Sequence, residues 1–408
     1  MAQYSSIPQL QEHIDVLSSA IEAQEQILRN LRHKRTDAYQ DLNFLVDPMA
    51  RLPLELQSDI FLRCFPDSST STTEPIPSAP PMVFMAVSRM WRDIALATPR
   101  LWAALSMKYL PRSDSFVELC RNWMKRAGRY PLTLALDGDL IVDHHVRDLV
   151  DEFSKQLHHL SFQVTRKVDD DARDYENPQL LLGSNVLFPC LETLTIYRED
   201  RASSDTLDCM QLIRAAPNLL ECDLRNLFFD DSDNSDDETD GAHYMHSMVH
   251  SSLQQLRLGC PWPWDDNSCR SESSAVPLQH LTLPALRGLY VTDFDITMEH
   301  FISFLIRSSP PLDTLFIDFP NSSFPVISIL AAHTTLLPNL GHLTIQPWKR
   351  STLYWDFDAV KRLLSARPLK SFRIRHGDFR LSGETVIALI KELEDNRGGV
   401  DICVVLVE

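Results

Sequence analysis

Three histidines, His243, His246 and His250, stand at i, i+3 and i+7, the helical spacing at which imidazoles converge on a metal ion. No fourth ligand accompanies them and they follow an acidic run, so the expectation is three solvated histidines on a helix. That run, Asp230-Asp-Ser-Asp-Asn-Ser-Asp-Asp-Glu-Thr-Asp240, has the carboxylate density of a calcium loop. It lacks the glycine and the terminal bidentate glutamate such a loop needs, and reads instead as a disordered acidic loop at 229–241. The pairs His144-His145 and His158-His159 flank a predicted helix, with no cysteine or serine signature beside them. G-x-G-x-x-G, G-x-S-x-G, G-x-x-x-x-G-K and H-E-x-x-H are all missing. Eleven glycines in 408 residues leave few of the close-approach turns that cofactor loops use. The residues therefore point away from an enzyme: no catalytic set, no metal site and no cofactor is expected.

Composition narrows the partners. A net charge of −17 repels phosphate backbones, and the one compact basic cluster, Arg29, Arg32, Lys34 and Arg35, falls on a predicted helix as a solvated face. Nucleic acid is excluded as the main partner on that ground. Eight cysteines without a C-x-x-C pair fit neither a zinc framework nor a disulfide scaffold, and read as small apolar residues in a reducing compartment. No stretch approaches a transmembrane run and the first residues show no signal pattern, so the expected location is cytoplasmic or nuclear, away from membranes.

If chemistry is not the task, surfaces are. The most specific segment reads Arg51-Leu-Pro-Leu-Glu-Leu-Gln-Ser-Asp-Ile-Phe61, and after a spacer Met85-Ala-Val-Ser-Arg-Met-Trp-Arg-Asp-Ile-Ala95, closing with Thr98-Pro-Arg-Leu-Trp102. Leu54–Phe65 and Val83–Trp102 have helical spacing, and Pro53 suits a first helical turn. Leu56, Ile60 and Phe61 would share a face with Val87, Trp91 and Ile94. Between the helices, Ser68 to Pro81 is Ser/Thr/Pro-rich and reads as a flexible spacer over 66–81. A loop this long adds only about 0.6 kcal/mol of closure entropy per doubling, so the helical pair survives it. Residues 48–110 thus resemble an F-box. That resemblance implies docking onto a Skp1-type linker of a cullin ubiquitin ligase through Leu52, Pro53, Leu54, Leu56, Ile60, Phe61, Val87, Trp91, Leu101 and Trp102. The alternative is that these residues are only the core of a small helical domain.

From about 130 to 408 a phrase Leu-x-x-Leu-x-apolar recurs, beginning at Leu157, Leu191, Leu253, Leu286, Leu312, Leu340 and Leu369, with a weaker copy at Leu219. The starts lie 34, 28, 34, 33, 26, 28 and 29 residues apart, and Pro189, Pro217, Pro284, Pro311, Pro338 and Pro368 announce several. Each phrase ends in alternation, a short half-buried strand. Helical runs fill the intervals, such as Met298, Phe301, Ile302, Leu305 and Ile306, or Phe357, Val360, Leu363 and Leu364. One strand–helix unit cannot close a core, whereas stacked neighbours can. The pattern resembles leucine-rich repeats in its strand portion, but the Asn or Cys expected after the strand is mostly missing, so an irregular solenoid is expected. Outward strand positions would then line one surface: Thr195, Asp223, Arg257, Tyr290, Phe316, Thr344 and Arg373, with Tyr197, Arg225, Thr292, Asp318, Gln346 and Arg375 as a second row. Arg257, Tyr290, Phe316 and Arg373 are the side chains that would anchor a protein substrate; the alternative is that they pack under loops.

Upstream, residues 7–46 carry a heptad. Ten of twelve core positions are apolar, the exceptions being Gln24 and Arg35. A homodimeric coiled coil through residues 7–45 and a helix folded back on its own chain both satisfy this seam. The fold class expected is therefore α/β: a heptad helix, an F-box-like helical domain and an irregular repeat solenoid. A heptad helix ahead of an F-box and repeats is similar to a type of F-box protein abundant in mushroom-forming fungi. The implied function is a substrate-receptor adaptor of a Skp1–cullin–F-box ligase that recruits a protein substrate. The alternative is a coiled-coil and repeat scaffold without a ligase partner.

Overall fold

The computed structural model describes residues 7–64, 80–107, 114–137, 144–164, 186–198, 209–225, 247–259, 277–292, 298–319, 326–333, 335–347, 357–367, 369–376 and 401–406. The acidic loop, His243, His246, Cys260, Cys269 and most of the 66–81 spacer lie outside these residues. The chain forms two compact units, one closing at Trp102 and one running from Ala103 to the C-terminus.

The first unit opens with α1 (Ile7–Val46), a helix of 40 residues. A 3-10 turn, Pro48–Arg51, follows, then α2 (Leu54–Arg63), α3 (Met82–Val87), α4 (Arg89–Leu96) and a second 3-10 turn, Pro99–Trp102. Pro53 does not sit in the first turn as expected. It is extended (φ −56°, ψ 150°) and precedes α2, its carbonyl accepting from Leu56 and Gln57 at 3.0 and 3.1 Å. The single second helix expected over Val83–Trp102 is broken at Ser88 (φ −154°, ψ 168°), whose hydroxyl caps α4 by accepting from Trp91 N–H at 3.1 Å. A serine there competes for the backbone and restarts the helix in a new direction.

The second unit is α/β. Its main sheet contains β1 (Ala104–Met107), β2 (Leu132–Asp137), β3 (Leu157–Val164), β4 (Thr193–Arg198) and β5 (Glu221–Arg225). A two-residue strand, β6 (Met248–Val249), precedes β7 (Gln255–Gly259), and another, β8 (Leu281–Thr282), precedes β9 (Gly288–Val291). β10 (Thr314–Phe319), β11 (His342–Pro347), β12 (Ser371–His376) and β13 (Asp401–Leu406) complete the set. Eleven strands form one sheet in the order β1-β2-β3-β4-β5-β7-β9-β10-β11-β12-β13, every pair parallel, while β6 pairs only with β8. All eight phrases read from the sequence are strands of this sheet. It also begins earlier than residue 130, because β1 and the helix α5 (Asp114–Arg126) belong to this unit.

Parallel neighbours need a crossover, and here α6 (His144–Phe153), α7 (Cys209–Ala215), α8 (Pro277–His280), α9 (Met298–Ser308), α10 (Val326–Ala332) and α11 (Phe357–Ala366) occupy the intervals. The register stacks identical positions: Leu105, Leu134, Leu160, Leu194, Cys222, Leu256, Leu289, Leu315, Leu343 and Phe372 make one continuous row. All ten are buried. The leucine that opens each phrase lies just before the strand proper and is equally buried, from Leu191 to Leu369. Four of these leucines close a β-turn whose second residue is proline: Leu191, Leu219, Leu286 and Leu340 donate to Phe188, Ala216, Leu283 and Leu337 carbonyls at 3.1–3.3 Å. Proline presets the φ this position needs, which explains the proline before the leucine. In α9 the buried stripe is Phe301, Phe304, Leu305 and Ser308 rather than the expected one, and Ile306 is exposed; the helix is rotated so that its two phenylalanines fill the core.

Candidate functional site

Two surfaces carry the residues singled out above, one in each unit. In the first unit the interior is aromatic. Phe61 stacks on Phe84 (ring centroids 4.3 Å, 20°) and both meet Trp91, at 5.0 and 6.2 Å. Asp47 ties α4 to the start of the unit, one carboxylate oxygen accepting from Met49 N–H at 2.8 Å, the other from the Trp91 indole at 2.9 Å. Buried Gln57 donates to the Met49 and Leu52 carbonyls at 2.7 and 2.9 Å, which holds the Leu52-Pro53 bend. Thr98 donates to Ile94 O at 2.7 Å and so accepts from Ser58, and the Trp102 indole donates to Ala95 O at 2.8 Å.

With these contacts made inward, the ten residues named for linker docking divide. Phe61, Leu101 and Trp102 are no more than 2% exposed, so they are scaffold and not surface. Their apolarity suggested a docking face, but Phe61 is held by the aromatic trio, and Leu101 and Trp102 cap the core from the last 3-10 turn. Leu52 and Trp91 are half-buried, and Pro53 is exposed. Leu54, Leu56, Ile60 and Val87 are 40–54% exposed, and Val83, not foreseen, joins them at 37%. These five leave apolar surface exposed on a small helical unit.

In the second unit the other face of the sheet is partly exposed. The register aligns Thr195, Asp223, Arg257, Tyr290, Phe316, Thr344 and Arg373 as one row, in the order read from the sequence. Arg257 lies over the Tyr290 ring, 4.8 Å from its centroid, and Tyr290 stacks on Phe316 at 6.2 Å and 28°. Arg257 and Arg373 are exposed; Tyr290 and Phe316 are half-buried. An open groove of about 580 Å³ runs along the strand starts beside Tyr290, lined by Gln255, Arg287, Gly288, Tyr290, Asp313 and Lys370 among others. Gly288 keeps it open, because a Cβ there would approach the Tyr290 ring at 3.3 Å. Lys370 pairs with Asp313 at 3.6 Å across this groove.

The second row differs from expectation. Asp223 pairs with Arg225, which raises the Arg225 pKa mainly through that hydrogen bond. Asp318 and Gln346 are 1% and 7% exposed, so these two positions are interior and offer no surface.

His250 also corrects the reading of the histidine triplet. It directly follows β6 rather than lying on a helix, and is 4% exposed. Its Nε2 donates to Ala216 O at 2.9 Å while Nδ1 accepts from Leu253 N–H at 3.2 Å. The repeat at β7 has no proline turn, and this imidazole closes it instead of a carbonyl. Arg367 does related work further on, donating to the Leu330, His333 and Leu337 carbonyls of the preceding repeat. Its own pKa is lowered by burial. His158 faces Glu192 at 3.2 Å, and burial lowers the His159 pKa. Cys120, Cys209 and Cys222 are buried thiols, whereas Cys64 is exposed and departs from the apolar role expected of it.

Among the described residues no group of three or more His, Cys, Asp or Glu could hold a metal ion, and no helix is long and apolar enough to cross a membrane. No family model matches the chain, and no curated protein matches it.

Proposed function

We propose that this chain is a substrate-receptor adaptor of a Skp1–cullin–F-box type ubiquitin ligase. The observation that carries the reading is the exposure of Leu54, Leu56, Ile60 and Val87, apolar side chains of the helical unit that follows the Leu52-Pro53 bend. Side chains with no role in the core and about half their surface in water gain by being covered, and the order of motifs in which they lie resembles an F-box. In this reading that surface docks onto a Skp1-type linker, and the scaffold residues Phe61, Trp91, Leu101 and Trp102 hold its shape. The sheet is read as an irregular leucine-rich-repeat solenoid. In place of the missing Asn, the His250 and Arg367 side chains bind the turns of the preceding repeat. Its open face, with Arg257, Tyr290, Phe316 and Arg373, recruits a protein substrate. Exposed Arg257, held over the half-buried Tyr290 ring, gives that face an anchor of the kind that dominates protein–protein contacts.

Co-purification tests the reading. The full chain should retain a Skp1-type linker and a cullin, and Leu52→Ala with Pro53→Ala should release both. A wild-type chain that retains neither would leave the coiled-coil and repeat scaffold as the function.

A further inference from the structure

α1 carries an apolar seam that is exposed within its own unit. Of its heptad core residues, Ile7, Leu10, Ile14, Leu17, Ile21, Leu28, Leu31, Leu42 and Leu45 are all 44–77% exposed. A seam this narrow over 40 residues is the mark of a helix that packs on another helix. The two polar residues in the seam and the charges beside it identify which helix.

With Ile7 at heptad position a, Gln24 occupies a d position and Arg35 an a position. Two copies side by side in parallel and in register would set Arg35 against Arg35 and Gln24 against Gln24. Like charges would then meet inside the seam, and the flanking pairs would be His13–Ser18, Ala20–Glu25, Ile27–Arg32, Lys34–Tyr39 and Asp41–Val46, with no ion pair among them. Reversing one helix changes this. When residue i faces residue 59 − i of the other copy, the layers are Ile14–Leu45, Leu17–Leu42, Ile21–Ala38, Gln24–Arg35 and Leu28–Leu31, each occurring twice. Every apolar core residue in the overlap then meets an apolar one. The two polar residues meet each other, so the Gln24 carbonyl can accept from the Arg35 guanidinium. The flanking contacts become Glu25–Arg32, also twice, with Ser18–Tyr39, Ala20–Asp41 and Ile27–Lys34, and no like-charge pair. Sliding by one heptad, to 52 − i, would put Arg35 against Leu17 and Gln24 against Leu28, burying polar groups on apolar ones.

We propose that α1 binds α1 of a second copy of this chain as an antiparallel coiled coil in the 59 − i register. The contact spans residues 14–45, roughly 48 Å at about 1.5 Å per residue. The antiparallel sense directs the two helical units that follow α1 toward opposite ends of the coil. This assembly stands apart from the ligase reading: it needs no linker, and a linker needs no second copy.

Cross-linking of full-length chains tests it. Two differently tagged chains, both carrying Cys64→Ser to remove the thiol that is exposed among the described residues, receive Leu17→Cys and Leu42→Cys respectively, and are mixed and oxidised. The expected product is a disulfide joining the two tags, with little joining either chain to its own kind. Self-linked chains would mean a parallel pair, and a Leu10→Cys chain linking better to Leu42→Cys would mean the slid register; either overturns the proposal. So does a single-chain mass in sedimentation of the unmodified protein at micromolar concentration. Charge gives a second readout. Glu25→Arg alone should weaken the dimer about tenfold, since two ion pairs become two repulsions, and adding Arg32→Glu should restore it. No restoration would exclude the pairing.

Discussion

Leu56→Asp with Val87→Asp tests the proposed docking surface of the helical unit separately from its core. Leu56 is 51% and Val87 54% exposed, so the free protein realises about half of their burial. Full burial of such a side chain contributes about 1.5–3 kcal/mol, which leaves about 0.8–1.5 kcal/mol for each to gain on contact. The aspartates forfeit that gain, about 2–3 kcal/mol for the pair, and add desolvation of two carboxylates against an apolar partner. A total above about 3 kcal/mol corresponds to more than a hundredfold in Kd. The stability of the unit should change little, because surface substitutions away from special contacts stay within about 0.5 kcal/mol each. Phe61→Ala is the contrasting variant: it opens a cavity between Phe84 and Trp91 and should destabilise by about 3–5 kcal/mol. The assay is titration calorimetry against a purified Skp1-type linker, with urea unfolding of the same full-length variants. Wild-type affinity in the double aspartate variant would refute the docking surface. Unfolding of that variant as early as Phe61→Ala would refute the division between surface and core.

Arg367→Met should destabilise the second unit by about 3 kcal/mol or more, because three carbonyls of the preceding repeat lose a buried charged donor; urea midpoints measure it. Burial pushes the Cys120 thiol up to about 12, from 9.0 for the free group. Its folded pKa exceeds the unfolded one, so its contribution to stability is complete below pH 9 and is lost as pH rises toward 12. Melting temperatures should therefore fall across that window, and less so in Cys120→Ala. Native alkylation should label Cys64 and spare Cys120, Cys209 and Cys222 until the chain unfolds. Tyr290→Ala removes the ring between Arg257 and Phe316, a contact worth about 0.5–1.5 kcal/mol, and should lower the melting temperature only slightly. Under the proposed receptor function, a protein that accumulates when this chain is deleted should be cleared by wild type and not by that variant.

Much of the strand framework was legible because the phrase Leu-x-x-Leu-x-apolar states its own periodicity. All eight copies, including the weak one at Leu219, became strands, and the outward row from Thr195 to Arg373 followed from alternation alone. β1, β2 and β13 escaped notice because they lack the leading leucine, and alternation over four to six residues is a weak signal. The residues proposed for docking were legible as a set of apolar positions and not individually as surface or core. Leu56 and Phe61 are both apolar on one helix, and only packing decides which of them faces the core.

What the sequence by itself determined, then, is what depends on local spacing: the repeat, the heptad, the Leu-Pro and Val-Ser-Arg-x-Trp motifs, and the turn prolines. What only the tertiary structure decided depends on neighbours distant in the chain. His250 is one case, expected in water and found closing a turn against Ala216, 34 residues away. The exposed apolar surface is the other. Leu54, Leu56, Ile60 and Val87 remain outside because Phe61, Phe84, Ile94, Leu101 and Trp102 already fill the interior of a unit too small to hold more. Hydrophobicity is a property of a residue, whereas burial is a property of the competition among residues for one core.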